Sequence, residues 1–75
     1  MNISDVMIHV SENLDSEARS ALEAQMRDLD GVIAPRFNSG KDHLLVVAFD
    51  PDKSRPIELL GAIQAAGYSA QLIGA

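Results

Sequence analysis

From His43 to Phe49 the chain alternates without a break, with Leu45, Val47 and Phe49 on one side and Leu44, Val46 and Ala48 on the other. Side chains on a β-strand point to opposite faces with a period of two residues, so this stretch is the strongest strand in the sequence. A second strand is written from Val6 to Val10, where Val6, Ile8 and Val10 point one way and Met7 and His9 the other. Between the two strands the period changes. Ala18, Leu22, Met26 and Leu29 recur at helical spacing and predict one buried stripe on a helix from about Ser16 to Leu29. Asp15 is placed to cap it, and Glu17 brings a negative charge to its first turn, where the helix dipole favours one. Arg19, Glu23 and Arg27, four apart and alternating in sign, are assigned to its exposed side.

Asp30-Gly31 ends that helix, with Gly31 suited to a left-handed cap. Val32 to Phe37 reads as a strand, and Pro35 within it requires an edge position, because proline has no N–H for a second neighbour. Asn38-Ser39-Gly40-Lys41-Asp42 is a hairpin turn. After the loop Asp50–Lys53, Ser54-Arg55-Pro56 opens a second helix, with proline near its first position. Ile57, Leu60 and Ile63 are its expected apolar stripe. Gly61 inside it is expected to mark close packing, and Gly67 closes it. Tyr68 to Ile73 forms a short last strand.

The order strand, helix, strand, strand, helix, strand predicts an α+β domain of the ferredoxin-like βαββαβ type. Right-handed crossovers put both helices on one face of a four-stranded antiparallel sheet. The strand order 4-1-3-2 makes the first and third strands central and leaves Pro35 at an edge. Ile8, Val10, Leu22, Leu29, Leu45, Val47, Phe49 and Ile63 are the expected core.

At 75 residues the chain is read as one domain, residues 1–75, with little surface to bury and no cysteine to compensate. The missing cysteine removes thiolate catalysis, iron–sulfur clusters and thiolate metal sites, and fits a reducing compartment. The first residues carry no basic run, and the apolar run Leu44 to Phe49 is too short to span a bilayer. A cytoplasmic protein without a leader is expected. The formal net charge is −5, and the six bases, Arg19, Arg27, Arg36, Lys41, Lys53 and Arg55, are scattered. Nucleic-acid binding needs a basic face and stacking aromatics, so neither nucleic acid nor an anionic membrane is an expected partner.

Candidate sites are few. Glu12, Asp15 and Glu17 lie close in sequence, but calcium wants six to eight oxygens, and capping already accounts for Asp15 and Glu17. His9 and His43 are read as exposed sheet histidines, since two imidazoles without a third ligand make a poor zinc site. Met1, Met7 and His9 form a thin alternative for copper. No Ser–His–acid set and no phosphate loop is present, so no catalytic constellation and no cofactor is expected.

The stretch Asp30-Gly31-Val32 through Phe37-Asn38, then Val47-Ala48-Phe49-Asp50, then Ala62-Ile63-Gln64-Ala65-Ala66-Gly67-Tyr68, resembles the heavy-metal-associated domain family of copper chaperones, mercury carriers and metal-pump domains. The resemblance covers the whole chain and implies the same fold. The family's Gly-Met-X-Cys-X-X-Cys motif would fall, counting back from Gly31, on Glu12 to Ala18. Asp15 and Ala18 then stand in place of the two cysteines, and the glycine and methionine are missing as well. Soft Cu(I) needs sulfur donors, so the resemblance implies a degenerate member without the family's metal chemistry.

With both helices on one face, the other face of the sheet is open. Met7, His9, Leu44, Val46 and Ala48 lie on it, a row of mostly apolar residues that marks an interface; the stems of Arg36, His9 and Gln71 are its available cover. The expected function is therefore a non-enzymatic module that binds a protein partner or a second copy of itself through this face, linked to metal handling by the resemblance alone. The alternatives are a weak metal carrier with non-cysteine ligands and a small-ligand sensor.

Overall fold

The computed structural model describes residues 2–38 and 40–73. Six elements follow in the expected order: β1 (Ser4–Val10), α1 (Ser16–Arg27), β2 (Val32–Asn38), β3 (Lys41–Phe49), α2 (Pro56–Ala65) and β4 (Ala70–Ile73). The strands form one antiparallel sheet in the order β2-β3-β1-β4. The central pair is β1 and β3, in a register that sets Val6 opposite Val47 and Ile8 opposite Leu45. Pro35 lies on the edge strand β2 opposite Val47, where its missing N–H breaks no second ladder.

The core forms between one face of the sheet and both helices. Ile8, Val10, Leu45, Val47 and Phe49 from the sheet meet Leu22 and Met26 of α1 and Leu59, Leu60 and Ile63 of α2. All the expected core residues are buried except Leu29, which packs against the core half-buried. The reason is a helix two residues shorter than its period suggested. Asp28 is the C-cap, so Leu29 lies in the turn that leads to Gly31 and covers the core from its margin.

Two expectations about α2 are corrected. Its buried residues are Leu59, Leu60 and Ile63, whereas Ile57 stands 63% exposed in the first turn. Nor does Gly61 mark a close approach: a Cβ built there meets nothing within 4 Å. Pro56 is the first residue of the helix, and Glu58 accepts a hydrogen bond from the Arg55 N–H at 2.9 Å, satisfying one of the free donors at its start.

On α1 the charge ladder is also corrected. Arg27 is exposed, but Arg19 and Glu23 are half-buried. Glu23 accepts from the Phe37 N–H of β2 at 2.8 Å. Arg19 donates to the Leu14 carbonyl and approaches Asp42 of the hairpin at 3.8 Å. These two side chains tie the helix to the sheet instead of pairing with each other. The hairpin between β2 and β3 turns through Gly40, with φ +78°, and the expected turn residue Ser39 lies outside the described residues.

Candidate functional site

Two regions carry the residues singled out by sequence: the loop between β1 and α1, and the open face of the sheet. In the loop, Asp15 is the N-cap, and its Oδ1 accepts from the Ala18 N–H at 2.8 Å. Glu12 accepts the Ser69 N–H with both carboxylate oxygens at 3.0 Å. That backbone bond holds the Glu12 carboxyl below the usual carboxylate range, because it favours the charged form. Glu12 and Asp15 are thus engaged by separate backbone donors, and Glu17 stands exposed in the first turn of α1. Among the described residues, no group of three or more His, Asp or Glu side chains is placed to hold a metal ion. A soft metal does not fit Asp15 and Ala18 either, since they offer a carboxylate already bound to the helix start and a methyl group.

The open face is built by the alternation of the central strands. Met7 of β1 lies opposite Val46 of β3 on one side and Ile73 of β4 on the other. His9 lies opposite Leu44 and Gln71, and Asp5 opposite Ala48. On β2, a register shift between Val32 and Ala34 sets Ala34 against Ala48 and Arg36 against Val46. An apolar row therefore crosses the sheet from Ile73 through Met7 to Val46, with Leu44 and Ala48 on either side of its β3 end. Met7 is 39% exposed, and Leu44, Val46, Ala48 and Ile73 are half-buried. Asp5 and Arg36 stand at its margins. Sequence reasoning missed Ile73 as part of this row. Its signal was the period of two in β4, which becomes informative only once the Met7–Ile73 register is known.

The histidines differ from expectation. They are half-buried, not exposed. Their rings lie near-parallel, 5.5 Å apart between centroids and inclined by 21°. His43 Nδ1 hydrogen-bonds the Val10 carbonyl at 2.7 Å, and His9 Nδ1 is buried without a hydrogen-bond partner among the described residues. The shift of pairing between Phe37 and Asn38, where β3 jumps from Leu45 to Lys41, disturbs the pleat at His43. Strict alternation therefore does not fix where its ring points. Met1, the third member of the thin copper alternative, lies outside the described residues.

A four-stranded antiparallel sheet in this order, with two helices packed on one face, is a ferredoxin-like domain, and within that class it has the fold of the heavy-metal-associated domains. Three solved structures make the likeness concrete. Oxidised MerP from Ralstonia metallidurans superposes with a TM-score of 0.84 at 20% identity, over 97% of this chain and 100% of that one. The copper chaperone of Enterococcus hirae does so with a TM-score of 0.79 at 24% identity, over 91% of this chain and 98% of that one. A copper-binding domain of the P-type ATPase HMA7 gives a TM-score of 0.82 at 18% identity, over 93% of each chain. No protein-family model matches the sequence, and no curated protein does. Two of these neighbours are named as a copper chaperone and a copper-binding domain, and this chain shares their fold with no cysteine in its sequence.

Proposed function

We propose that this chain is a protein-interaction module that has kept the heavy-metal-associated fold, lost thiolate metal transfer, and docks through the open face of its sheet to a second copy of itself. The observation that carries the reading is the apolar row Ile73–Met7–Val46, with Leu44 and Ala48 beside it, opposite the face that both helices cover. Burying apolar surface yields roughly 25 cal/mol per Å². A flat sheet face lets several side chains be covered at once without rearranging the backbone. Asp5 and Arg36, at different margins of the face, give it opposite charges that a twofold-related copy can match. The module is read as a single non-enzymatic domain acting in the cytoplasm.

A second reading has a metal-handling protein on the same face. It is favoured by the neighbours, which include a metallochaperone and a copper-binding domain of a P-type ATPase. A photoreactive phenylalanine derivative in place of Val46 separates the two. Crosslinking in cells to a product of twice the chain mass supports self-association, and a heavier product that Met7→Lys removes supports the second reading. No product from position 46 under conditions where the protein is folded overturns both.

A further inference from the structure

We propose that Met7 is a reversible oxidation site, and that converting its thioether to a sulfoxide releases the docked copy from the open face of the sheet. The switch rests on docking through that face. The chain has three methionines and no cysteine, so the sulfurs it offers to a peroxide are all thioethers. Two of them differ sharply in access. Met26 is 0% exposed within the core, whereas Met7 is 39% exposed on the outer face of β1. Met1 lies outside the described residues. A peroxide therefore reaches Met7 while the core shields Met26.

Met7 also stands where a change of polarity matters most. It is paired with Val46 of β3 and Ile73 of β4, at the middle of the apolar row. Oxidation by hydrogen peroxide is a two-electron step. The sulfur lone pair attacks one peroxide oxygen, an S–O bond forms and the O–O bond breaks. The second oxygen leaves as water with both hydrogens. The product is a polar side chain with a strong hydrogen-bond acceptor. In the free chain, water satisfies that acceptor. In the docked pair water is excluded, and Val46, Ile73, Leu44 and Ala48 offer no side-chain donor. A buried acceptor without a partner is unfavourable. Under twofold symmetry each interface carries two of them, one from each copy.

The core between the sheet and the helices does not include Met7, so the oxidation acts on docking and not on folding. Two consequences separate a switch from incidental damage. Docking covers Met7, so its oxidation slows as the associated fraction rises. The step is also undone by a reductase with a pair of thiols, which releases the sulfoxide oxygen as water, closes its thiols to a disulfide and restores the apolar side chain.

The test treats the full chain with hydrogen peroxide at several protein concentrations and maps the added oxygen by fragmentation mass spectrometry. Association is measured by sedimentation before peroxide, after it, and after the two methionine sulfoxide reductases, one for each sulfoxide epimer. Met7 is expected to gain one oxygen well before Met26, and more slowly at high protein concentration. The oxidised chain is expected to melt cooperatively, to associate about tenfold or more weakly, and to recover after reduction. Met26→Leu responds to peroxide as the unaltered chain does. Met7→Leu, compared with its own untreated state, does not respond, which assigns the effect to Met7 and not to Met1. Association that survives oxidation of Met7, a loss of association in peroxide-treated Met7→Leu, or Met26 oxidising as fast as Met7 overturns the switch and leaves the docking face standing. A chain that is monomeric before any peroxide is added overturns the docking face, and the switch with it.

Discussion

Gly31 and Gly61 are both glycines near helices, yet they respond to opposite constraints. Gly31 has φ +90°, and a Cβ there would lie 2.3 Å from Ser54 Oγ and 2.9 Å from Lys53 Cβ. The Ser54 hydroxyl donates to the Asp30 carbonyl, and the Gly31 carbonyl accepts from the Asp50 N–H at 2.7 Å, so the turn is fixed from both sides. Gly31→Ala is expected to destabilise the protein by about 1–3 kcal/mol, the usual cost of a strained backbone, with the clash adding to it. Gly61 has helical backbone and open space around it. Gly61→Ala is expected to stabilise by about 0.5–1 kcal/mol, because alanine restricts the unfolded chain and loses nothing in the folded one. Urea denaturation of both variants checks the pair; a destabilising Gly61→Ala would mean that the helix face is covered. The left-handed turn at Gly31 was legible in the Asp-Gly pair after a helical stripe. The freedom at Gly61 was not, because a glycine within a helix looks the same in sequence whether a neighbour crowds it or not.

The two helices differ in how clearly they announce their buried side. On α1, Leu22 and Met26 lie four apart among polar residues, so only one face can be apolar, and both are buried. Leu22→Ala is expected to cost roughly 2–5 kcal/mol, as truncation of a buried leucine generally does. A loss below about 0.5 kcal/mol in denaturant titration would put Leu22 outside the core. On α2, Ile57, Leu59, Leu60, Ala62 and Ile63 leave little polar contrast. Spacing alone then fits 57/60/63 as well as 59/60/63, and the sheet decides between them by covering the latter. The strands β1 and β3 were readable because a period of two admits no such ambiguity. His43 escaped the same reading because the shifted pairing at the β2–β3 hairpin interrupts the pleat where its ring leaves the strand.

For the molecule as a whole, element order was enough to obtain the sheet order, since right-handed crossovers and an edge proline leave few arrangements of six elements. The open face followed from the same logic: once Leu45, Val47 and Phe49 meet the helices, Leu44, Val46 and Ala48 must lie opposite. Its full extent did not follow, because Ile73 joins it only through pairing between strands distant in sequence. Nor did the histidine pair, which depends on ring orientation and on one carbonyl. Sedimentation equilibrium of the unaltered protein and of Val46→Lys, over a wide range of concentration, tests the docking face most directly. Lysine on the outer face of a strand leaves the helix-side core untouched, so the variant should melt as cooperatively as the parent. The unaltered chain is expected to associate reversibly as concentration rises, and Val46→Lys to remain a monomer throughout. A parent that stays monomeric at every concentration, or a Val46→Lys variant that associates as strongly, would contradict self-association through this face.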